Sequence, residues 1–164
     1  MIHLIVGDGK GETTASVGLA VRAAGRGWKV LFIQFLKDDN SGEIKILRDI
    51  PGITVVHPPV NYGFTFQMTQ EQLDTTASEY HKMMNTACES DAGIIILDEV
   101  IHALNAGLVS PEDIKQVLNK ETEIVLTGRD APDWLIEKAD YVSNVQKIKH
   151  PYDKGIIARE GIEF

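Results

Sequence analysis

The sequence predicts an α/β fold with a mostly parallel central sheet and helices on both faces. Short β-rich runs alternate with longer segments of helical period, which is the pattern of repeated βαβ units. The run KVLFIQF (29–35) is continuously apolar apart from Gln34, as a strand covered on both sides should be. The glycine-rich stretch GDGKGETT (7–14) joins the first strand to the first helical segment, the place where open sheets of this kind hold ligands. At 164 residues the chain favours a single domain spanning 1–164 with a sizeable core.

Each element follows in order. IHLIV (2–6) is the first strand; it is too short for a signal-peptide core, no basic stretch precedes it, and Gly7 ends it. A helix is expected from Thr13 to about Gly25, with Ala15, Leu19, Ala20 and Ala23 along one face. After the second strand, LKDDNSGE reads as a polar loop. ITVVHPP (53–59) is a third strand stopped by two prolines, and VNYGFTFQM has no clear period and reads as a loop. A long helix is expected from Thr69, a good N-cap, to about Glu89. GIIILDEV (93–100) reads as the most buried strand. SPEDIKQVLNK opens a helix with a serine cap and Pro111 at its first position. EIVLTGR (123–129), a short helix in APDWLIEKA, and a strand in YVSNVQKIKH complete the layers.

Composition narrows the function. A net charge of −8 argues against a nucleic-acid partner, so any phosphate site must be local. No apolar run approaches the roughly 20 residues needed to span a bilayer, so no membrane role is expected. The lone Cys88 excludes an intramolecular disulfide and a cysteine-built zinc site, and it fits a reducing cytoplasm.

Gly7, Gly9 and Gly11 let the backbone curl so that several N–H groups point into one concavity, and the following helix adds the positive end of its dipole. Thr13 falls where a phosphate-binding loop presents its Mg²⁺-binding hydroxyl, with Thr14 beside it. Against G-x-x-x-x-G-K-[ST] the match is partial: Gly11 and Thr13 fit, Val6 replaces the first glycine, and Glu12 replaces the lysine. A ligand-free strand-to-helix turn has the same glycine spacing. The run IIILDE ends in Asp98 and Glu99, like a Walker B strand whose acid holds Mg²⁺; a strand ending in solvated acids reads the same way. Glu99 and His102 have the spacing of half a di-iron site, but the second half is missing.

GDGKGETT, VLFIQFLK, GFTF, IIILDEV, VLTGRDAP and KHPYDKGI…GIEF occur in this order over essentially the whole chain. Together they resemble the P-loop-type ATP:corrinoid adenosyltransferases. The resemblance implies a RecA-like P-loop NTPase fold, a homodimer, Mg²⁺ or Mn²⁺, ATP as adenosyl donor, a reduced corrinoid as acceptor, and a flavoprotein as reductant. It implies that Co(I) attacks C5′ of ATP and expels triphosphate, chemistry that needs orientation and a stabilised leaving group more than an activated side-chain nucleophile.

By the same resemblance Gly7, Asp8, Gly9, Lys10, Gly11, Glu12, Thr13 and Thr14 form the nucleotide loop, Thr13 and Asp98 serve the metal, and Glu99 positions metal or ribose. Arg129 is the best remaining phosphate cation and Lys154 a weaker one. Phe64 and Phe66 match a loop that usually reads G-F-T-W and contacts the lower face of the corrin, with Phe66 in the place of the tryptophan.

Glu12 departs from the family, which normally has lysine there. Two unit charges about 4 Å apart interact by roughly 4 kcal/mol at an effective dielectric of 20. Three resolutions are open: Glu12 faces solvent or metal, Lys10 or Arg129 supplies the charge, or ATP is used poorly. The last would make the chain a catalytically weak corrinoid- or nucleotide-binding protein of the same fold. A small-molecule P-loop kinase fits the loop and the LDE segment but leaves the C-terminal signatures unexplained.

Overall fold

A computed structural model describes residues 1–37, 41–63 and 65–163. The strands are β1 (Ile2–Gly7), β2 (Val30–Gln34), β3 (Ile53–Val56), β4 (Ile94–Asp98), β5 (Glu123–Gly128) and β6 (Tyr141–Val145). The helices are α1 (Glu12–Ala24), α2 (Gly42–Asp49), α3 (Gln70–Glu89), α4 (Val100–Asn105), α5 (Pro111–Leu118) and α6 (Asp133–Lys138).

All pairings are parallel, in the order β3-β2-β4-β5-β1-β6. This six-stranded sheet with helices on both faces agrees with a RecA-like P-loop fold. Alternation of side chains explains the continuously apolar central strands. Leu31, Ile33, Ile95, Leu97, Ile124 and Leu126 face one layer, where they meet Tyr80, Met83 and Met84 of α3, Ile101 of α4, Ile114 and Val117 of α5, and Leu135 of α6. Val30, Phe32, Ile94, Ile96 and Val125 face the other, against Ala20 of α1 and Ile44 and Leu47 of α2.

Two helices begin as their caps predict. Thr69 accepts from the Gln72 N–H while its own N–H reaches the Gln72 side chain, and Ser110 and Asp113 make the same reciprocal pair before α5.

Several boundaries differ from the sequence reading. The segment read as the polar loop LKDDNSGE runs into α2, a helix whose apolar stripe is only Ile44 and Leu47, too short a signal to stand out. The strand expected over 93–100 stops at Asp98; Glu99 turns left-handed (φ 63°) and α4 begins at Val100. β3 ends at Val56, before the prolines, and β6 ends at Val145, leaving residues 146–150 outside the sheet. Within GFTF, Thr65–Gln67 forms a single 3₁₀ turn.

Register carries these ends to one edge. Gln34 pairs with Asp98, Val6 with Gly128, and Gly7 with Val145. Among the described residues the non-glycine positions with positive φ are Leu36 (56°), Glu99 (63°) and Asp130 (57°), which follow the adjacent strands β2, β4 and β5. Strained backbone gathered at the carboxyl ends of central strands marks that edge as the functional one.

Candidate functional site

The glycine loop leaves β1 and runs under β6. Gly7 (φ 145°) has no room for a side chain, since a Cβ there would lie 2.1 Å from the Val145 carbonyl oxygen. Gly9 is also confined, though less tightly: its N–H donates to the Val145 carbonyl at 2.8 Å, and a Cβ would lie 2.8 Å from Gln146 and Val145 backbone atoms. Asp8 accepts from the Lys147 N–H at 2.9 Å, and this bond, its largest influence, lowers its pKa. These first loop residues are therefore committed to β6, and the Gly9 N–H already has a partner. Gly7→Ala is expected to lower the unfolding free energy by about 2–4 kcal/mol, because backbone rather than a flexible side chain must move. Urea unfolding of this variant beside Gly11→Ala checks it; Gly11 shares the positive φ (138°) but faces open space, so its loss should be smaller.

Gly11 is also the N-cap of α1 and has no side chain to cap it. The first N–H groups of α1 are thus left for a ligand. They face a cavity of about 710 Å³ lined by Lys10, Gly11, Glu12, Thr13 and Thr14, by Lys37 and Glu99 from the strand ends, by Gly42, Glu43 and Ile46 of α2, and by His150, Gly161, Ile162 and Glu163. Another cavity, of about 530 Å³, lies at the opposite edge around Lys29, Ile53 and Asp91, away from the carboxyl ends where such sheets bind ligands.

Asp98 is fully buried and receives a hydrogen bond at every side. Thr127 Oγ1 donates to Oδ1 at 2.8 Å; Gln34 Nε2 (3.1 Å), Lys37 Nζ (3.2 Å) and Thr13 Oγ1 (3.3 Å) donate to Oδ2. Thr127 Oγ1 also accepts from the Glu99 N–H at 2.9 Å and so fixes the sharp turn after β4. Gln34 Oε1 is buried with no partner among the described residues. Lys37 Nζ lies 2.8 Å from Thr13 Oγ1 and 3.5 Å from Glu99 Oε1, so an ammonium sits among the hydroxyl and carboxylates of the loop and strand end. Burial pushes the Lys37 pKa down, but Asp98 and Glu99 outweigh it and the net shift is upward.

Glu99 bonds to His102 one turn along α4. Burial pushes the Glu99 carboxyl up; the His102 hydrogen bond and the Lys37 charge outweigh this and hold its pKa low, while the same bond raises that of His102. Glu99 therefore remains an anion engaged on two sides, which suits positioning rather than proton abstraction.

Glu12 is half-buried. It lines the cavity, and burial, with the Glu99 charge adding to it, raises its pKa. As the first residue of α1 its carboxylate is favoured by the helix dipole, but burial and the Glu99 charge outweigh this and leave the anion net disfavoured.

Lys10 reaches the cavity but pairs with Glu163 at 3.1 Å, and Glu163 is also held by Arg159. Arg129 is exposed and does not line the cavity; its Nε donates to the Gly7 carbonyl at 3.2 Å. Lys154 lies on an exposed 3₁₀ turn. Phe66 is 80% exposed and away from the cavity lining, and Phe64 lies outside the described residues.

Thr13, Thr14, Asp98, Glu99 and Glu12 are thus brought together; Arg129 and Phe66 are not in the cavity lining, although the Arg129 charge is felt by Glu12 and His102. Sequence reasoning gave no role to Lys37, Gln34 and Thr127. The available signal was Gln34, a polar residue in an otherwise apolar strand that ends beside Lys37.

The sequence profile of the family described as ATP:corrinoid adenosyltransferase BtuR/CobO/CobP matches residues 1–164. The chain is 32% identical to a corrinoid adenosyltransferase of Pseudomonas aeruginosa, over 96% of this chain and 80% of the relative. It is 30% identical to one of Escherichia coli K12, over 100% and 85%, and 28% identical to corrinoid adenosyltransferase CobA of Salmonella typhimurium, over the same shares.

Proposed function

Because the chain belongs to the ATP:corrinoid adenosyltransferase family, we propose that it transfers the 5′-deoxyadenosyl group of ATP to the Co(I) centre of a reduced corrinoid. Cobalt donates an electron pair to C5′, the C5′–O bond breaks, and its electrons leave with triphosphate. The cobalt ends formally as Co(III) with a Co–C bond.

The observation that carries this proposal is the cluster at the mouth of α1. Thr13 Oγ1 and Asp98 Oδ2 stand 3.3 Å apart with the Lys37 ammonium on both, beside uncapped helical N–H groups. Such a cluster stabilises charge that develops on a leaving polyphosphate. The acceptor needs no general base, which agrees with the engagement of Glu99 by His102 and Lys37. Loop residues Lys10, Gly11, Thr13 and Thr14 would hold the phosphates, and Arg129 would fix the loop through Gly7.

Mg²⁺ or Mn²⁺ fits these residues, because an ammonium already finds a cation's place between hydroxyl and carboxylate oxygens. Thr13 and Asp98 would hold the ion, which when bound neutralises triphosphate charge. Among the described residues no three His, Cys, Asp or Glu side chains gather to hold a metal alone; Mg²⁺ ordinarily takes one or two carboxylates and completes its shell with water and substrate phosphate.

Phe66, whose ring is exposed, and Phe64 would contact the lower face of the corrin. A flavoprotein reductant, a homodimer of single-domain chains and a cytoplasmic setting belong to the same proposal. Among the described residues no helix is long and apolar enough to cross a membrane.

Incubation with Mg-ATP and chemically reduced cobalamin should give a light-sensitive Co–C product and triphosphate in equal amounts. ADP in place of triphosphate would instead indicate kinase action. Nucleotide binding without either product would favour a binding protein of the same fold, the reading that the cavity-facing Glu12 supports.

A further inference from the structure

We propose that Lys37 is the polyphosphate cation of this chain, delivered from the end of β2 to offset the acid at position 12. The inference rests on the function proposed above only in taking the ligand to be a triphosphate.

Three observations carry it. Lys37 lines the same cavity as Lys10 to Thr14, and its ammonium contacts Thr13 Oγ1 at 2.8 Å, so it lies at the first turn of α1 where a loop lysine would act. The backbone that presents it is built for the purpose. Leu36 is held in a left-handed conformation (φ 56°), its N–H donates to the Tyr80 hydroxyl at 2.8 Å, and the preceding Phe35 N–H donates to the Asp98 carbonyl at 2.9 Å. Strain fixed by neighbouring elements at a strand end is retained where a side chain must be aimed.

The other candidate cations have other work. Lys10 is paired with Glu163, and Arg129 holds the Gly7 carbonyl outside the cavity lining. An ammonium with three donors on a flexible stem can move from Asp98 to a phosphate oxygen without moving the backbone.

A plain alternative is that Lys37 only neutralises the buried Asp98, and a double-mutant cycle separates the two. Binding of inorganic triphosphate is measured by calorimetry in EDTA, with no corrinoid present. Lys37→Met is expected to weaken binding roughly 10- to 100-fold, the worth of a charge-assisted phosphate contact, and Lys37→Arg to retain most of it. In an Asp98→Asn background, where no buried charge is left unpaired if Lys37→Met disturbs folding, the same substitution should still cost at least about tenfold. Adding Glu12→Lys to Lys37→Met should restore binding.

The proposal is overturned if Lys37→Met leaves binding unchanged, or if its effect vanishes in the Asp98→Asn background. If the parent chain bound no triphosphate, the Lys37 proposal would fall, while the proposed function, which uses Mg-ATP, would be decided by Co–C formation. If the parent binds and only the cycle fails, Lys37 alone is wrong.

Discussion

Glu12→Lys is expected to tighten ATP binding by about one to three orders of magnitude while changing the melting temperature little. Each half of that statement has its own cause. The substitution exchanges an anion for a cation at the rim of the cavity that holds Thr13, Lys37 and Glu99. Each unit charge about 4 Å from a phosphate is worth roughly 4 kcal/mol at an effective dielectric of 20. Glu12 is only partly buried, so screening removes much of this, and about 1.4–4 kcal/mol remains, the range given above as a ratio. The stability change is small because two contributions oppose each other: a cation at the first position of α1 works against the helix dipole by about 0.3–1 kcal/mol, while loss of the carboxylate relieves its burial and its repulsion by Glu99.

Acid narrows the gap between parent and variant. Burial and Glu99 hold the Glu12 pKa above its ordinary value, so repulsion is complete above that raised pKa and is titrated away as the pH falls through it. Calorimetric titration with ATP across that range, beside thermal melts, measures both effects. Equal affinities at neutral pH would mean that the Glu12 carboxylate points away from the phosphates.

How much of this was legible in the sequence depends on what each residue answers to. Strands buried on both faces announce themselves by composition, so β2, β4 and β5 were readable, as were α3 and α5 from Thr69 and from Ser110-Pro111. α2 was not, because its stripe is two residues on a short helix. Continuous apolar composition also cannot show where a strand ends in a left-handed turn, so Val100 was assigned to β4 instead of α4.

The glycines were read for phosphate binding, yet Gly7 and Gly9 are glycine because the β6 backbone passes against them. That pairing joins positions far apart in the chain and leaves no local mark. Lys37 was hidden for a related reason. Its neighbours come from two other places in the chain, Thr13 from α1 and Asp98 and Glu99 from the end of β4, and only the strand order β2-β4-β5-β1 brings them together.

Asp98→Asn should reduce Co–C bond formation by roughly two to three orders of magnitude while leaving the chain folded. The buried carboxylate has four donors around it and serves two layers of structure. An asparagine can keep most of that geometry. Its carbonyl oxygen can take the place of Oδ2 toward Gln34, Lys37 and Thr13, and its amide can donate to Thr127, whose hydroxyl oxygen is able to accept.

The charge is lost. Among the described residues Lys37 keeps only Glu99 as an ionic partner, and a divalent ion would lose a fully buried carboxylate. The fold should therefore lose about 1–2 kcal/mol, the difference between charged and neutral hydrogen bonds, whereas the reaction would lose the carboxylate proposed to hold the ion that neutralises the leaving triphosphate. Asp98→Ala would take the acceptor from four buried or half-buried donors at once and confuse the two effects, so the amide is the informative change. Paramagnetic detection of Mn²⁺ in the presence of ATP, beside the rate of Co–C formation, reports on both roles. A variant that bound Mn²⁺ weakly yet turned over within a few-fold of the parent would remove the Asp98-held ion from the reaction and leave Lys37 and the helix N–H groups to carry the leaving group.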